Sequence, residues 1–405
     1  MRAAQGHEAA ERNAGRNAED SFKHTLMHCV DRSALVNRFV RSRIVRAESL
    51  AFSANFRFTP SMPESTSIDS LPTAAFLERF DARATAAVGG ILRFDAFVDL
   101  ALYDQEVGYY RQDRPRVGYA AGTDFYTAST SGPLFGELIC AACRTLLPSE
   151  SLRDYTFVEI GAETPGGILT GVSAPFGTTR AVSVGAAIQL GGRCVVFSNE
   201  LFDAQPFRRW IRRGGEWREL GVIAEPAPDG RVHLREVLIP LSETIAPFDS
   251  DIQLPDTAAE GYLLDLPVAA NALLTAIAAQ PWSGLFVAFD YGKWWGQVSH
   301  ETPGGTARAY FRHEQHNDLL ARPGQQDLTC HVVWDWLAHG LTTHGFAEVQ
   351  VESQEAFFIH HAGEFISETM AAEATRMSSR KLSLMQLLHP ANLGQKFQVL
   401  HGRRK

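Results

Sequence analysis

The chain has 405 residues, 45% hydrophobic and 21% charged, with 33 Gly and 19 Pro, which excludes disordered, collagen-like and disulfide-stapled classes. A net charge of −8 argues against nucleic acid as the main partner. No stretch approaches the roughly 18 to 20 apolar residues of a membrane-spanning helix, and five scattered cysteines fit a reducing compartment, so a cytoplasmic location is expected.

Residues 1–60 hold nine Arg and one Lys against six acids, a net of +4 that leaves −12 on the remainder. Glu8, Glu11, Glu19, Asp20, Asp31 and Glu48 count against an organelle transit peptide, and no apolar run with a small-residue cleavage site marks a secretory signal. Residues 1–72 are therefore expected to form a poorly ordered extension. Met62, ahead of a Pro/Ser/Thr-rich stretch, is an alternative start, and one folded domain should occupy 73–405.

Within that domain helix and strand patterns alternate. Phe94, Phe97, Val98, Ala101 and Leu102 recur at helical spacing and predict a helix over 94–103. Phe135, Leu138, Ile139, Ala142 and Leu146 predict a second, entered through Ser131-Gly132-Pro133. Cys140 and Cys143 fall inside it, where a lone C-x-x-C reads as buried packing. Residues 155–160, 181–184, 193–198 and 285–290 read as strands buried on both faces. A helix over 268–279 precedes the last of them, which gives the rhythm of a parallel, doubly wound sheet. Residues 206–262 break that rhythm with a β-rich insert. Strands 207–213 and 217–223 form a hairpin on Gly214-Gly215, and 233–239 follows. A strand at 307–311, a helix at 332–343, a strand at 346–351, helices across 354–388 and a strand at 397–401 complete the pattern.

Four segments carry candidate chemistry. Val158-Glu159-Ile160-Gly161 closes a buried strand and runs into a loop holding Gly166 and Gly167. An acid on a strand edge with glycines after it suits a nucleoside cofactor in an open α/β sheet, although strand-to-helix turns also need glycine for their own sake. Asn199-Glu200-Leu201-Phe202-Asp203 follows the strand at 193–198. Two carboxylates and an amide at such an end face the ligand crevice, the structural alternative being a helix cap. Asp290-Tyr291-Gly292 ends the next buried strand. Last comes a polar run with Arg308, Tyr310, His313, His316, Asp327 and His331; its histidines lack the ligand spacing of a metal site and read as solvated or hydrogen-bonding, so no metal is expected.

Taken in order, these segments resemble the MidA family of class I S-adenosyl-L-methionine-dependent methyltransferases. The resemblance also rests on Leu102-Tyr103-Asp104, Gly108-Tyr109-Tyr110, Gly122-Thr123-Asp124-Phe125-Tyr126-Thr127, Pro133 to Gly136, Asp327-Leu328-Thr329 with His331, and Gly394 to Phe397, and it spans about 75–405. It implies an α/β, Rossmann-like class I methyltransferase sheet with an inserted β-meander and an N-terminal helical segment. S-adenosyl-L-methionine is the implied cofactor, bound by Glu159, Gly161, Gly166, Gly167 and Asn199, with Gly122, Asp124 and Thr127 nearby. Glu200 and Asp203 would hold the acceptor, and Asp290 would support them or act as base. The implied substrate is a protein arginine, in a subunit of respiratory complex I. The chain departs from the family at the cofactor loop, where Gly161 is followed by Ala162-Glu163-Thr164-Pro165 instead of a further close glycine. It also lacks any acid between Glu163 and Glu200, where a ribose-binding carboxylate is expected. Those departures support an alternative, a family member that has lost catalysis and acts as a protein-binding assembly factor.

Overall fold

The computed structural model describes residues 71–114, 116–118, 123–124, 132–228, 230–240, 254–375 and 378–405. All but the last two residues of the expected extension, and Gly122 and Thr127, lie outside them.

Thr73 caps helix α1 (Ala74–Ala86), its Oγ1 accepting the Phe76 N–H at 3.2 Å. The two-residue strand β1 (Leu92–Arg93) leads into α2 (Phe94–Tyr103), which buries Phe94, Phe97, Val98, Ala101 and Leu102, as their spacing predicts. Helix α3 (Pro133–Leu146) begins on its proline and buries Cys140 and Cys143 as free thiols. The strands β2 (Thr156–Ala162), β3 (Thr178–Ser183) and β4 (Gly192–Asn199) follow. Next come the insert strands β5 (Arg208–Arg213), β6 (Glu216–Pro226) and β7 (Val232–Leu238), and, just past the expected end of the insert, β8 (Leu263–Leu266). Helix α4 (Val268–Ala278) returns the chain to β9 (Trp282–Asp290). Short elements fill the stretch beyond it: β10 (Gly292–Lys293), α5 (Trp295–His300), β11 (Arg308–Phe311), β12 (Glu314–His316), β13 (Asp327–Thr329) and β14 (Val332–Val333). The last elements are α6 (Trp334–Thr343), β15 (Ala347–Ser353), α7 (Gln354–Ala372), α8 (Ser379–Leu388) and β16 (Gln398–Arg404).

Among the described residues the main sheet has six strands in the order β15-β16-β9-β4-β2-β3. Its β9, β4, β2 and β3 run parallel, as expected, whereas β16 is antiparallel to both its neighbours, β9 and β15. Both faces are covered. On one, Val158, Val196 and Phe286 pack with Leu274 and Ile277 of α4 and Leu337 and Leu341 of α6. On the other, Phe135 of α3 meets Phe197 at 6.2 Å, Phe289 at 5.5 Å and Phe358 of α7 at 6.1 Å between ring centroids. One strand corrects the sequence reading. The segment expected to be buried on both faces at 181–184 belongs to β3, which lies at the sheet edge with Val182 as its buried residue. Apolar β-branched residues at 181–184 do not distinguish an edge from a centre. The chain then passes from β3 to β4, across β2, through residues 184–191 without a helix.

The insert forms a separate antiparallel sheet, β1-β6-β5-β8, with β7 paired to β6. Gly214 (φ 62°) and Gly215 (φ 77°) make the tight β5–β6 turn that the sequence predicts. A buried two-point ion pair joins Arg208 to Glu219, both contacts at 2.6 Å, and Arg209 reaches Asp265 at 2.9 Å. Asp265 in turn accepts the backbone N–H groups of Thr306 and Ala307, which ties the insert to the polar run. No helix among the described residues is long and apolar enough to cross a membrane.

Candidate functional site

Parallel pairing in register brings the carboxyl ends of β2, β4 and β9 side by side. A cleft of about 1160 Å³ opens beyond them, the place where open α/β sheets collect ligands. Glu159, Gly161, Gly166, Gly167, Asn199, Glu200, Asp203 and Asp124 all line it. The turn at Thr164 and Pro165 forms part of its wall and leaves the hollow open.

The loop after β2 is built around Glu159. This side chain is 7% exposed, and its Oε2 accepts the Ile168 N–H at 2.7 Å. A Cβ at residue 167 would overlap that carboxylate, and Gly167 also sits at φ 59°, so glycine is needed there on two counts. Burial raises the Glu159 carboxyl to about 7.

Glu200 follows β4 with φ 51°, a left-handed conformation that costs a non-glycine residue of order 1–3 kcal/mol and collects at functional positions. Its N–H is held by Phe289 O at 2.9 Å, and its Oε1 accepts from Asn199 Nδ2 at 3.0 Å. Asp203 is buried and its Oδ1 has no hydrogen-bond partner, nor does Asn199 Oδ1. Burial drives the carboxyls of Glu200 and Asp203 well above the ordinary range, and neighbouring acids add to the effect. Asp290 stands apart. It is fully buried, does not line the cleft, and accepts the N–H groups of Phe202 at 2.8 Å and Tyr291 at 2.9 Å. Its carboxylate therefore fixes the turn that presents Asp203. Burial raises it too, while those N–H donors pull it back toward the charged form.

The facing wall comes from the polar run and the segment after α2. Asp327 is buried, accepts the Tyr110 hydroxyl at 3.0 Å, and burial pushes it up to about 7. His331 is held neutral, lowered to about 4 by burial and then by Lys293 and Arg308, and its buried Nδ1 lacks a partner. Lys396 supplies a cation to the lining. Sequence reading gives none of these side chains an individual role; in the fold the Cys330 N–H bonds Asp203 O at 2.8 Å, which sets the polar run beside Asp203. Asp124 lines the cleft, yet its carboxylate is already engaged. Oδ2 accepts Tyr109 Oη at 2.8 Å and Arg114 Nη2 at 2.6 Å, and Oδ1 accepts the Arg312 N–H at 2.9 Å. The backbone oxygen of Asp124 takes the next N–H, that of His313, at 2.8 Å. Arg312 (φ 50°) and His313 (φ 66°) form the β11–β12 turn in a conformation that favours glycine, and Asp124 straps both. Beyond β3, Val184-Gly185-Ala186 offers no acid; the Arg111 guanidinium lies against Gly185.

Residues 182–351 match the model of a family described as "Putative S-adenosyl-L-methionine-dependent methyltransferase". Among solved structures, the chain is similar to a protein from Burkholderia thailandensis described as a "likely methyl transferase" and bound to S-adenosyl-homocysteine, with a TM-score of 0.67 and 22% identity over 82% of this chain and 95% of that one. A native structure of an uncharacterized protein from the same organism gives 0.64 and 22% over 82% and 94%. At these identities the likeness establishes the fold, an α/β methyltransferase-like architecture with a mixed sheet. No curated protein matches the chain.

Proposed function

We propose that the cleft binds S-adenosyl-L-methionine and that the chain is a methyltransferase of the MidA type, with a protein arginine as acceptor and, by the sequence resemblance, a respiratory complex I subunit as the protein. The observation that carries this reading is the pair of buried, unpartnered acceptors, Asn199 Oδ1 and Asp203 Oδ1, in an acid-rich cleft at the carboxyl ends of β2, β4 and β9. The lining fits such a cofactor. Glu159, Glu163, Glu200, Asp203 and Asp327 complement a ligand carrying sulfonium and ammonium charge, and Gly161, Gly166 and Gly167 leave the backbone open to it. When bound, the cofactor supplies an electrophilic methyl group.

The chain's own groups would align and neutralise. An arginine guanidinium is protonated with a pKa above about 12, so it must lose a proton as it is alkylated. Glu200 and Asp203 would hold it by paired hydrogen bonds, since carboxylates match its planar donors. Their raised proton affinity makes them better acceptors of that proton than a solvated carboxylate. Asp290, bonded to the turn at Phe202, would keep Asp203 in place.

A second reading, a non-catalytic assembly factor, draws on Pro165 in the loop and on the absence of an acid at 184–186. Titration calorimetry separates the two. Heat of binding from S-adenosyl-L-methionine supports the enzyme reading; silence at millimolar ligand removes it and leaves the binding protein. Glu200→Gln and Asp203→Asn should then lower methyl transfer to arginine peptides far more than cofactor affinity. Equal losses would mean that these carboxylates bind the cofactor instead.

A further inference from the structure

Away from the cleft, β15, β16 and α7 bring three potential ligands together. Gln350 pairs with His401 in the β15–β16 ladder, so Glu352, two residues on, shares a sheet face with His401 on the diagonal. Helix α7 lays His361 over the same face. His361 Nε2 lies 3.2 Å and His401 Nε2 3.6 Å from one oxygen, Glu352 Oε2, and the three ligand atoms all lie within 4.8 Å of one another. We propose that Glu352, His361 and His401 form a divalent metal site whose imidazole and carboxylate donors suit Zn²⁺.

The spacing is the first argument. Bonds of about 2.0–2.1 Å in a tetrahedral zinc site set neighbouring ligand atoms roughly 3.3 Å apart, and 3.2 and 3.6 Å bracket that separation. The second is an orphan. His401 is 3% exposed, and its Nε2 has no partner at full hydrogen-bond distance, Glu352 Oε2 standing just beyond it at 3.6 Å, although buried ring nitrogens ordinarily find one. The third is the surroundings. His360 Nδ1 holds the other carboxylate oxygen, Oε1, at 2.8 Å and so orients the ligand that Oε2 would provide. The Phe357 ring stands 5.0 Å from His361 and 5.5 Å from His401, an apolar wall behind the donors. Helix α7 departs from helical angles at Ala362 (φ −129°, ψ 19°), directly after the two histidines that converge on one carboxylate. Three protein ligands leave a fourth position for water. None of the three residues lines the cleft, so the ion would pin α7 to the sheet edge independently of the reaction proposed above.

The test uses the full chain, freed of any affinity tag, stripped with chelator and dialysed. Calorimetry with ZnCl₂ should give one ion per chain, and CoCl₂ should produce the visible absorption of a tetrahedral site. His361→Gln should weaken zinc binding about 100-fold or more, and His360→Gln about 10-fold, the range of an orienting partner. If Glu352→Gln does not fold, the wild-type cobalt spectrum and the His361→Gln titration still decide. Absence of a bound ion, or an affinity unchanged in His361→Gln, would overturn the site and leave Glu352 as the centre of a hydrogen-bond network.

Discussion

Glu159 Oε2 and the backbone N–H of Ile168 are joined at 2.7 Å, and this bond fastens the loop after β2 to the strand it leaves. The carboxyl titrates near 7 in the folded protein against an ordinary 4.5, because it is buried. Between those values the folded chain keeps a proton that the unfolded chain has released, so this group's contribution to stability falls as pH rises through the interval. Glu159→Gln cannot titrate. Urea midpoints measured from pH 4.5 to 7 should decline less steeply in the variant, and parallel declines would show that the group does not carry the effect.

Gly136 controls the same loop from the opposite side. A Cβ there would overlap the carbonyl oxygen of Ile168. Gly136→Ala should therefore push α3 and the loop apart, at a cost of about 1–3 kcal/mol in unfolding free energy. Cofactor affinity should fall with it, although residue 136 does not line the cleft. Calorimetry on the folded variant checks the coupling.

Asp124 should prove structural. Its removal in Asp124→Ala leaves the Tyr109 hydroxyl and the Arg312 N–H without this acceptor and the Arg114 guanidinium with Gln325 O at 3.2 Å but no carboxylate there, and should cost about 2–4 kcal/mol. The turn it straps offers a converse experiment. His313→Gly relieves a left-handed conformation and should cost less than Asp124→Ala in a chemical denaturation series, because φ 66° suits glycine. The reverse ranking would mean that the His313 side chain matters more than the strap.

Glu200 separates stability from chemistry. Glycine accepts φ 51° without penalty, so Glu200→Gly should leave the melting temperature unchanged or raise it while abolishing methyl transfer. Glu200→Gln keeps the backbone strain and should lose transfer alone. A large fall in stability for the glycine variant would show that the Asn199–Glu200 hydrogen bond at 3.0 Å outweighs the strain.

Much of this fold could be read from residue spacing. The helices around Phe97 and Leu138 follow from apolar positions at helical intervals, and the insert hairpin from Gly214-Gly215. The exposure of β3 could not be read, because edge and central strands share a composition. The β11–β12 turn was equally silent, since Arg312-His313 carries no turn signature; its conformation is imposed by Asp124, almost two hundred residues earlier in the chain. For the cleft, sequence supplied Glu159, Asn199, Glu200 and Asp203 because they lie near or just beyond the carboxyl ends of two recognisable strands. Asp327 and His331 were visible as part of a polar stretch, but their approach to Asp203 depends on a long-range backbone bond, from the Cys330 N–H to Asp203 O at 2.8 Å. Glu352, His361 and His401 lie on three elements and have no motif spacing at all.

The strand order has a kinetic corollary. Asp290 ends a strand whose neighbour on one side is β4, while the other side is closed by residues that follow it by more than a hundred positions. Such distant partners pay loop-closure entropy before any reward arrives, which slows folding. A backbone cut in the stretch between α5 and α6 should therefore yield two halves that each lack a flank of the same sheet and that recover a shared structure only when mixed.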